Sequence, residues 1–102
     1  MQDWYPLSDL EILFEIGSRM KAFRISKNMT QQILAMHSGL NRSTIRDLEN
    51  GKSLNMLSMI QVFRSLDLLS KLEVLLPETT NSPVVASQKI KRQRVKLSKK
   101  DK

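Results

Sequence analysis

A chain of 102 residues has room for one domain, and with 40% hydrophobic residues it can form a core. It has no Cys, which excludes disulfides and thiolate metal sites and is typical of a reducing compartment. Its one His, His37, cannot form a metal site alone. The longest apolar run, residues 33–36, is far shorter than the roughly 20 residues that cross a bilayer, and the N-terminus lacks the apolar region of a signal peptide. We therefore expect a cytoplasmic protein without membrane contact, metal or cofactor.

Positive charge is concentrated near the end of the sequence. The net charge is +7, from 17 Lys and Arg against 10 Asp and Glu. Residues 1–77 hold nine basic and eight acidic side chains, whereas residues 78–102 hold eight basic and two acidic ones. A nearly neutral part followed by a strongly basic tail indicates a polyanionic partner, with nucleic acid as the first candidate.

The first predicted helix begins after Pro6. Ser8 is suited to the N-cap position, and Glu11, three residues later, completes a capping box. Apolar residues then recur at helical spacing and form a stripe of Leu13, Ile16, Met20 and Phe23. Asn28, which tolerates a left-handed backbone, is expected to end the connection to the next helix.

Two further helices are predicted on either side of a short turn. The second opens at Thr30, whose hydroxyl can cap it, and runs to residue 37 or 38, where Gly39 stops it in a left-handed conformation. The third is capped by Asn41, runs to about residue 50 and is stopped by Gly51. This arrangement predicts a helix-turn-helix over residues 30–50.

A fourth helix is predicted over roughly residues 56–66, with one apolar face formed by Met56, Met59, Ile60, Phe63 and Leu66. Asp67 separates it from a Leu-rich fifth helix over residues 68–76, which Pro77 ends. Residues 78–102 are expected to form a basic, flexible tail. The prediction is an all-α, five-helix domain over residues 1–77, in which the methionines at 20, 29, 36, 56 and 59 fill the core.

The turn between the second and third helices restricts side-chain size. Ala35 lies where the two helices cross, and Leu40 turns back from Gly39 into the core. Ile45 and Leu48, three residues apart, point inward from the third helix. Its opposite face is then expected to present Arg42, Ser43, Arg46 and Asp47 to solvent or to a ligand.

These four side chains suit the base edges of a DNA major groove. Arg42 and Arg46 can each bond O6 and N7 of guanine, whereas Ser43 is less selective. Asp47 can accept from cytosine N4, or it orients Arg42 or Arg46. The alternative is that these charges simply form a solvated helix face.

Residues 30–51, TQQILAMHSGLNRSTIRDLENG, resemble the Cro/cI (Xre) family of helix-turn-helix regulators. In that family Thr-Gln, Leu-Ala, Gly and Ile-x-x-Leu-Glu-Asn-Gly recur at this spacing, and the likeness extends over about residues 12–76. The resemblance implies a Cro/cI repressor-like fold and a sequence-specific regulator of transcription that binds double-stranded DNA. No arrangement of Ser, His and Asp places a base beside a nucleophile, so an enzyme is not expected.

The same resemblance implies contacts to DNA phosphates. Gln31, at the start of the second helix, is expected to bond a phosphate and to support Arg42, while Asn50 and Lys52 contact the other strand. Thr44 is a further phosphate ligand. The density of cations in the tail adds Lys89, Lys91, Arg92 and Arg94. Non-specific nucleoid or RNA binding through the tail alone is the rival hypothesis.

The Leu-rich segment and the basic tail are similar to the HipB-like antitoxins, Xre regulators encoded beside HipA-type kinase toxins; one departure is Asp67, where such proteins often place Gly. This likeness implies an autoregulating antitoxin with a HipA-like kinase as partner. The alternative is a phage-type repressor or another Xre regulator without a toxin. We also predict a homodimer on a pseudo-palindromic operator, with a two-fold interface of Leu68, Leu69, Leu72, Leu75 and Leu76. The alternative is that Leu69, Leu72 and Leu76, which follow one helical face, only close the core, whereas Leu68 and Leu75 are expected to be exposed in a monomer.

Overall fold

The computed structural model describes residues 1–52 and 55–79. In chain order the α-helices are α1 (Asp9–Ser26), α2 (Gln31–Ser38), α3 (Arg42–Glu49), α4 (Met56–Ser65) and α5 (Leu72–Leu75), with a 3-10 turn at Leu69–Lys71. No strand occurs in the described residues, and the all-α prediction is confirmed. The unit Met1–Ser70 contains α1 to α4, and α5 belongs to a second unit. No helix in these ranges combines the length and apolarity that a bilayer span requires.

The capping box predicted for α1 is present. The Ser8 hydroxyl accepts from the Glu11 backbone N–H at 3.2 Å, and the Glu11 carboxylate accepts from the Ser8 N–H at 2.9 Å. Two hydrogen bonds with Ser8 lower the pKa of Glu11 below its ordinary value; the one with the Ser8 backbone has the larger effect and the one with the Ser8 side chain the smaller. Asn28 adopts a left-handed conformation with φ 57°, as predicted.

The turn between α2 and α3 follows the predicted design. Thr30 caps α2 by accepting from the N–H of Ile33 at 3.1 Å, and Gly39 ends it with φ 73°. A Cβ at position 39 would meet nothing within 4 Å, so the backbone conformation, rather than space, requires glycine here. The Leu40 N–H donates to the carbonyl of Ala35 at 3.0 Å and closes the turn.

α3 begins after Asn41, as predicted, but the Asn41 side chain makes no capping hydrogen bond. Asn41 therefore occupies the N-cap position, as predicted, without a side-chain hydrogen bond. α3 packs against α1 and α2, and α2 also packs against α4. The first turn of α3 thus depends on tertiary packing for its position.

The core lies among α1, α2, α3 and α4 and includes Leu66, the C-cap residue of α4. Its buried hydrophobic residues are Met20, Leu34, Ala35, Ile45, Leu48, Val62 and Leu66. Partly buried residues pack around it: Met29, Leu40, Met59, Phe63 and Leu68. Ala35, Ile45 and Leu48 are buried, which confirms that a small residue lies at the helix crossing and that Ile45 and Leu48 point inward from α3.

The predicted apolar stripe of α1 is only partly correct. Met20 is buried, but Ile16 and Phe23 are exposed, and the buried face continues through Gly17 and Arg24 instead. These three buried positions are spaced by three and four residues, as one helix face requires. The predicted stripe of α1 was partly wrong because it included only apolar residues, whereas a glycine and an arginine also lie on the buried face.

The predicted face of α4 and the role of two methionines also need correction. Met56 is exposed, and the buried positions of α4 are Ser58 and Val62. Met36, on α2, is exposed as well, so Met36 and Met56 do not fill the core. Met56 lies at the start of α4, where the chain enters the helix after Asn55 caps it.

The predicted fifth helix over residues 68–76 is not a single helix. Asp67 is left-handed with φ 58°, and the Leu68 N–H donates to the carbonyl of Phe63 at 2.8 Å. This reversal brings Leu68 back onto the core, where it is half-buried, and contradicts the expectation that Leu68 is exposed. A 3-10 turn and the four-residue α5 follow.

Gly17 is a point of close approach between α1 and α3, and the sequence reasoning missed it. A Cβ at this position would collide with the carbonyl oxygen of Leu48 and lie 2.9 Å from that of Glu49. Both are backbone atoms, which cannot move without shifting α3. Gly17 therefore sets how α3 sits on α1.

We expect Gly17→Ala to destabilise the protein by about 1–3 kcal/mol, because the strain of overpacking exceeds the helix propensity gained. Chemical denaturation with urea measures this difference. Ser18→Ala, at the exposed next position, is the control and is expected to change stability by less than about 0.5 kcal/mol. Unchanged stability of Gly17→Ala would contradict the close approach.

Candidate nucleic-acid interface

The two faces of α3 differ in chemistry. Ile45 is fully buried, Leu48 is 4% exposed and Glu49 is 6% exposed, and all three lie on the face that packs against the other helices. Arg42, Ser43 and Arg46 are exposed, and Asp47 is half-buried. The four residues proposed from the sequence to contact bases thus lie off the buried face.

A buried ion pair holds α3 onto α1. Glu49 accepts from Arg24 through both carboxylate oxygens, from Nε at 2.6 Å and from Nη2 at 3.1 Å. The Arg24 Nη1 donates to the carbonyl of Met29 at 2.7 Å, which joins the α1–α2 connection to the same group. The buried guanidinium therefore links α1, the end of α3 and the connection between α1 and α2.

Gln31 is the third partner of this ion pair. Its Nε2 donates to Glu49 Oε1 at 3.0 Å. Because an ionised carboxylate only accepts hydrogen bonds, Gln31 must turn its amide NH2 group toward Glu49. The second N–H and the amide oxygen of Gln31 remain for other partners. This fixes the first residue of α2 relative to the end of α3.

The sequence reasoning did not identify Arg24 and Glu49 as a pair. A signal was present, because Arg24 follows Met20 by four residues and Glu49 follows Ile45 by four, which places both charges on buried helix faces. A buried charge requires a partner. Their separation by 25 positions in the sequence hid which partner each one has.

The exposed face of α3 carries mixed charge. Asp47 Oδ1 is 3.9 Å from Arg46 Nε and 3.7 Å from Lys52 Nζ. Of the other predicted phosphate contacts, Thr44 is half-buried and Asn50 is the exposed C-cap residue of α3. The predicted tail contacts Lys89, Lys91, Arg92 and Arg94 lie outside the described residues.

The leucines predicted for a dimer interface differ in exposure. Leu68, Leu69 and Leu72 are half-buried, whereas Leu75 and Leu76 are exposed. Val74, beside them, is exposed too. Apolar side chains thus face solvent at the end of the described chain.

The geometry of α3 matches what a major groove admits. An α-helix with its side chains is about 10–12 Å across, and the major groove of B-DNA is about 12 Å wide. Two guanidinium groups on an exposed helix face supply planar, bidentate donors for guanine or for phosphate. The arrangement suits the edge of a nucleic-acid duplex.

Comparison with known proteins agrees with this geometry. A family model described as "Helix-turn-helix" matches residues 20–78, which is more than half of the chain and includes α2 to α5. None of the curated proteins compared with the chain matches it. The chain therefore belongs to the Cro/cI-type (Xre) family of helix-turn-helix proteins, which are DNA-binding regulators.

Proposed function

We propose that the protein is a sequence-specific transcriptional repressor that inserts α3 into the major groove. The observation that carries the proposal is the exposure of Arg42 and Arg46 on a helix whose other face is fixed by buried Ile45, Leu48 and Glu49. A helix held this firmly can present side chains to bases without a large ordering penalty on binding.

The proposed base contacts come from four side chains of α3. Arg42 and Arg46 donate to O6 and N7 of guanine, and the Ser43 hydroxyl bonds either a donor or an acceptor on a base edge. Asp47 accepts from cytosine N4. Their positions on successive turns of one helix limit them to neighbouring base pairs.

Phosphate contacts flank this set in our proposal. Gln31 uses the N–H that does not donate to Glu49, and Thr44 adds its hydroxyl. Asn50 and Lys52 follow the end of α3 and reach the other strand. These contacts set the position of α3 on the duplex and contribute most of the salt dependence.

We propose a homodimer that places two copies of α3 in successive major grooves about 34 Å apart. The exposed apolar side chains Leu75 and Leu76 support an interface near the end of the described chain, and the half-buried Leu68, Leu69 and Leu72 belong to the same proposed interface. A two-fold interface matches a pseudo-palindromic operator.

The experiment is a gel-shift and footprinting assay of the full-length protein on the DNA upstream of its own gene, with sedimentation in parallel. The proposal expects a protected region with two half-sites one helical turn apart, and a dimer in solution. Equal affinity for every duplex of that length would contradict sequence-specific recognition, and a monomer on a single half-site would contradict the dimer.

A finer proposal is that the repressor is the autoregulating antitoxin of a HipA-type kinase. It rests on the similarity of the Leu-rich segment and basic tail to HipB-like antitoxins. A HipA-like kinase reading frame beside the gene, and a stable complex of the two purified proteins, are the expected findings. A neighbouring integrase and a divergent promoter instead favour a phage-type repressor without a toxin.

The four tail cations at positions 89, 91, 92 and 94 are proposed to bind phosphates on any sequence. We expect their joint replacement by Gln to weaken binding to all DNA sequences alike and to reduce the slope of log affinity against log salt by about 1 for each lost contact. Fluorescence titration over a salt series measures both. An unchanged slope would show that these cations do not contact DNA.

A further inference from the structure

The carboxylate of Asp47 lies between two cations of the proposed DNA-binding face. The same oxygen, Oδ1, is 3.9 Å from Arg46 Nε and 3.7 Å from Lys52 Nζ. Both distances exceed those of hydrogen bonds, so the interaction is charge attraction without fixed alignment. One negative charge thus offsets part of two positive charges on the proposed DNA-binding face.

The backbone keeps Lys52 beside Asp47. The Lys52 N–H donates to the Asp47 carbonyl at 2.9 Å, directly after Gly51, which is left-handed with φ 81°. A Cβ at Gly51 would lie 2.7 Å from the Cα of Phe14, so this reversal is packed against α1. The fold therefore keeps the backbones of Asp47 and Lys52 together, which holds their two side chains within reach of each other.

Non-specific DNA binding is governed by charge. Each cation that neutralises a phosphate releases counterions, raises affinity for every sequence and steepens the salt dependence. A carboxylate within 4 Å of two such cations opposes this on every sequence, because it attracts the cations and repels phosphates. On a cognate site, contacts to base edges offset the same opposition.

We propose that Asp47 is a specificity-determining residue that acts by lowering affinity for non-cognate DNA. This inference rests on the proposed function of α3, and it adds a role that a base contact alone does not have. Asp47 restrains Arg46 and Lys52 away from phosphates unless the base sequence beneath α3 supplies compensating hydrogen bonds. The ratio of cognate to non-cognate affinity is therefore larger with the carboxylate than without it.

The test compares the full-length protein with Asp47→Asn on two duplexes, the footprinted upstream site and a scrambled duplex of equal length and composition. We expect non-cognate affinity to rise about threefold to tenfold and its salt slope to steepen by up to about 1. Affinity for the footprinted site is expected to change less, so the ratio falls.

Two further variants make the result interpretable. Asp67, on the turn after α4, has a carboxylate that is likewise paired with a lysine, 3.3 Å from Lys27 Nζ. Asp67→Asn removes this charge, and Asn tolerates the left-handed backbone at position 67. It is expected to leave both affinities nearly unchanged. In a Lys52→Gln background, Asp47→Asn is expected to raise non-cognate affinity less, because one of the two restrained cations is gone.

Several outcomes would overturn the inference. An equal rise on both duplexes would mean that Asp47 repels DNA without affecting specificity. A loss on the footprinted site with no change on the scrambled one would make Asp47 a base contact only. If Arg42→Ala/Arg46→Ala binds as well as the unmodified protein, the proposed function itself fails; if that variant loses binding while Asp47→Asn changes nothing, only this inference fails.

Discussion

Replacing both Arg42 and Arg46 with alanine is expected to weaken binding to the footprinted operator by about 30-fold or more. Each arginine that bonds a guanine in the major groove contributes about 1–3 kcal/mol of affinity. The loss is expected to be smaller on scrambled DNA, where these side chains contribute only as charges. Gel-shift titration on both duplexes at one salt concentration measures the difference.

The control for this variant removes the same number of charges elsewhere. Lys21 of α1 and Arg64 of α4 are both exposed, so Lys21→Ala/Arg64→Ala lowers the net charge equally without altering α3. Thermal unfolding of both variants should match that of the unmodified protein, because all four side chains are exposed. Equal binding by the two double variants would exclude α3 as the recognition helix.

Breaking the buried ion pair is the second change with a large expected effect. Arg24→Met is expected to destabilise the protein by about 3–5 kcal/mol, because the Glu49 carboxylate stays buried and, among the described residues, keeps only the Gln31 amide as partner. That is a large share of the stability of a small domain. The shift in the midpoint of urea unfolding measures it.

The double variant Arg24→Met/Glu49→Met separates the charge effect from the packing effect. It is expected to be more stable than either single variant, because no buried charge then lacks a partner. Arg19→Met breaks the exposed Arg19–Glu15 pair of α1 and serves as the control, with an expected change below about 1 kcal/mol. Destabilisation that simply adds up in the double variant would argue against a coupled pair.

Local signals along the sequence predicted the helix ends well. The capping box at Ser8, the threonine cap of α2 and the glycine that ends α2 occur as expected. Asp67 adopts a left-handed conformation, which glycine favours and Asp tolerates. Each of these features depends on hydrogen bonds or backbone angles within about four residues, so neighbouring residues suffice to specify them.

Periodicity was less reliable for the buried faces of α1 and α4. It selected Ile16, Phe23 and Met56, which are exposed, and passed over Gly17, which is buried. A stripe of apolar residues indicates a helix but leaves its rotation uncertain when the opposite faces are also apolar. Contact with α3 selects the buried face of α1, and contact with α2 selects that of α4. Both contacts involve residues far apart in the sequence.

The sequence by itself determined where α1 to α4 begin, where α2 to α4 end, that α3 buries Ile45 and Leu48, and that its opposite face carries cations. Only the tertiary structure decided that Arg24 pairs with Glu49 and that Gly17 admits the backbone of α3. The reason is physical. Helix caps and turns depend on hydrogen bonds between neighbours in sequence, whereas these contacts depend on how separate segments pack in space.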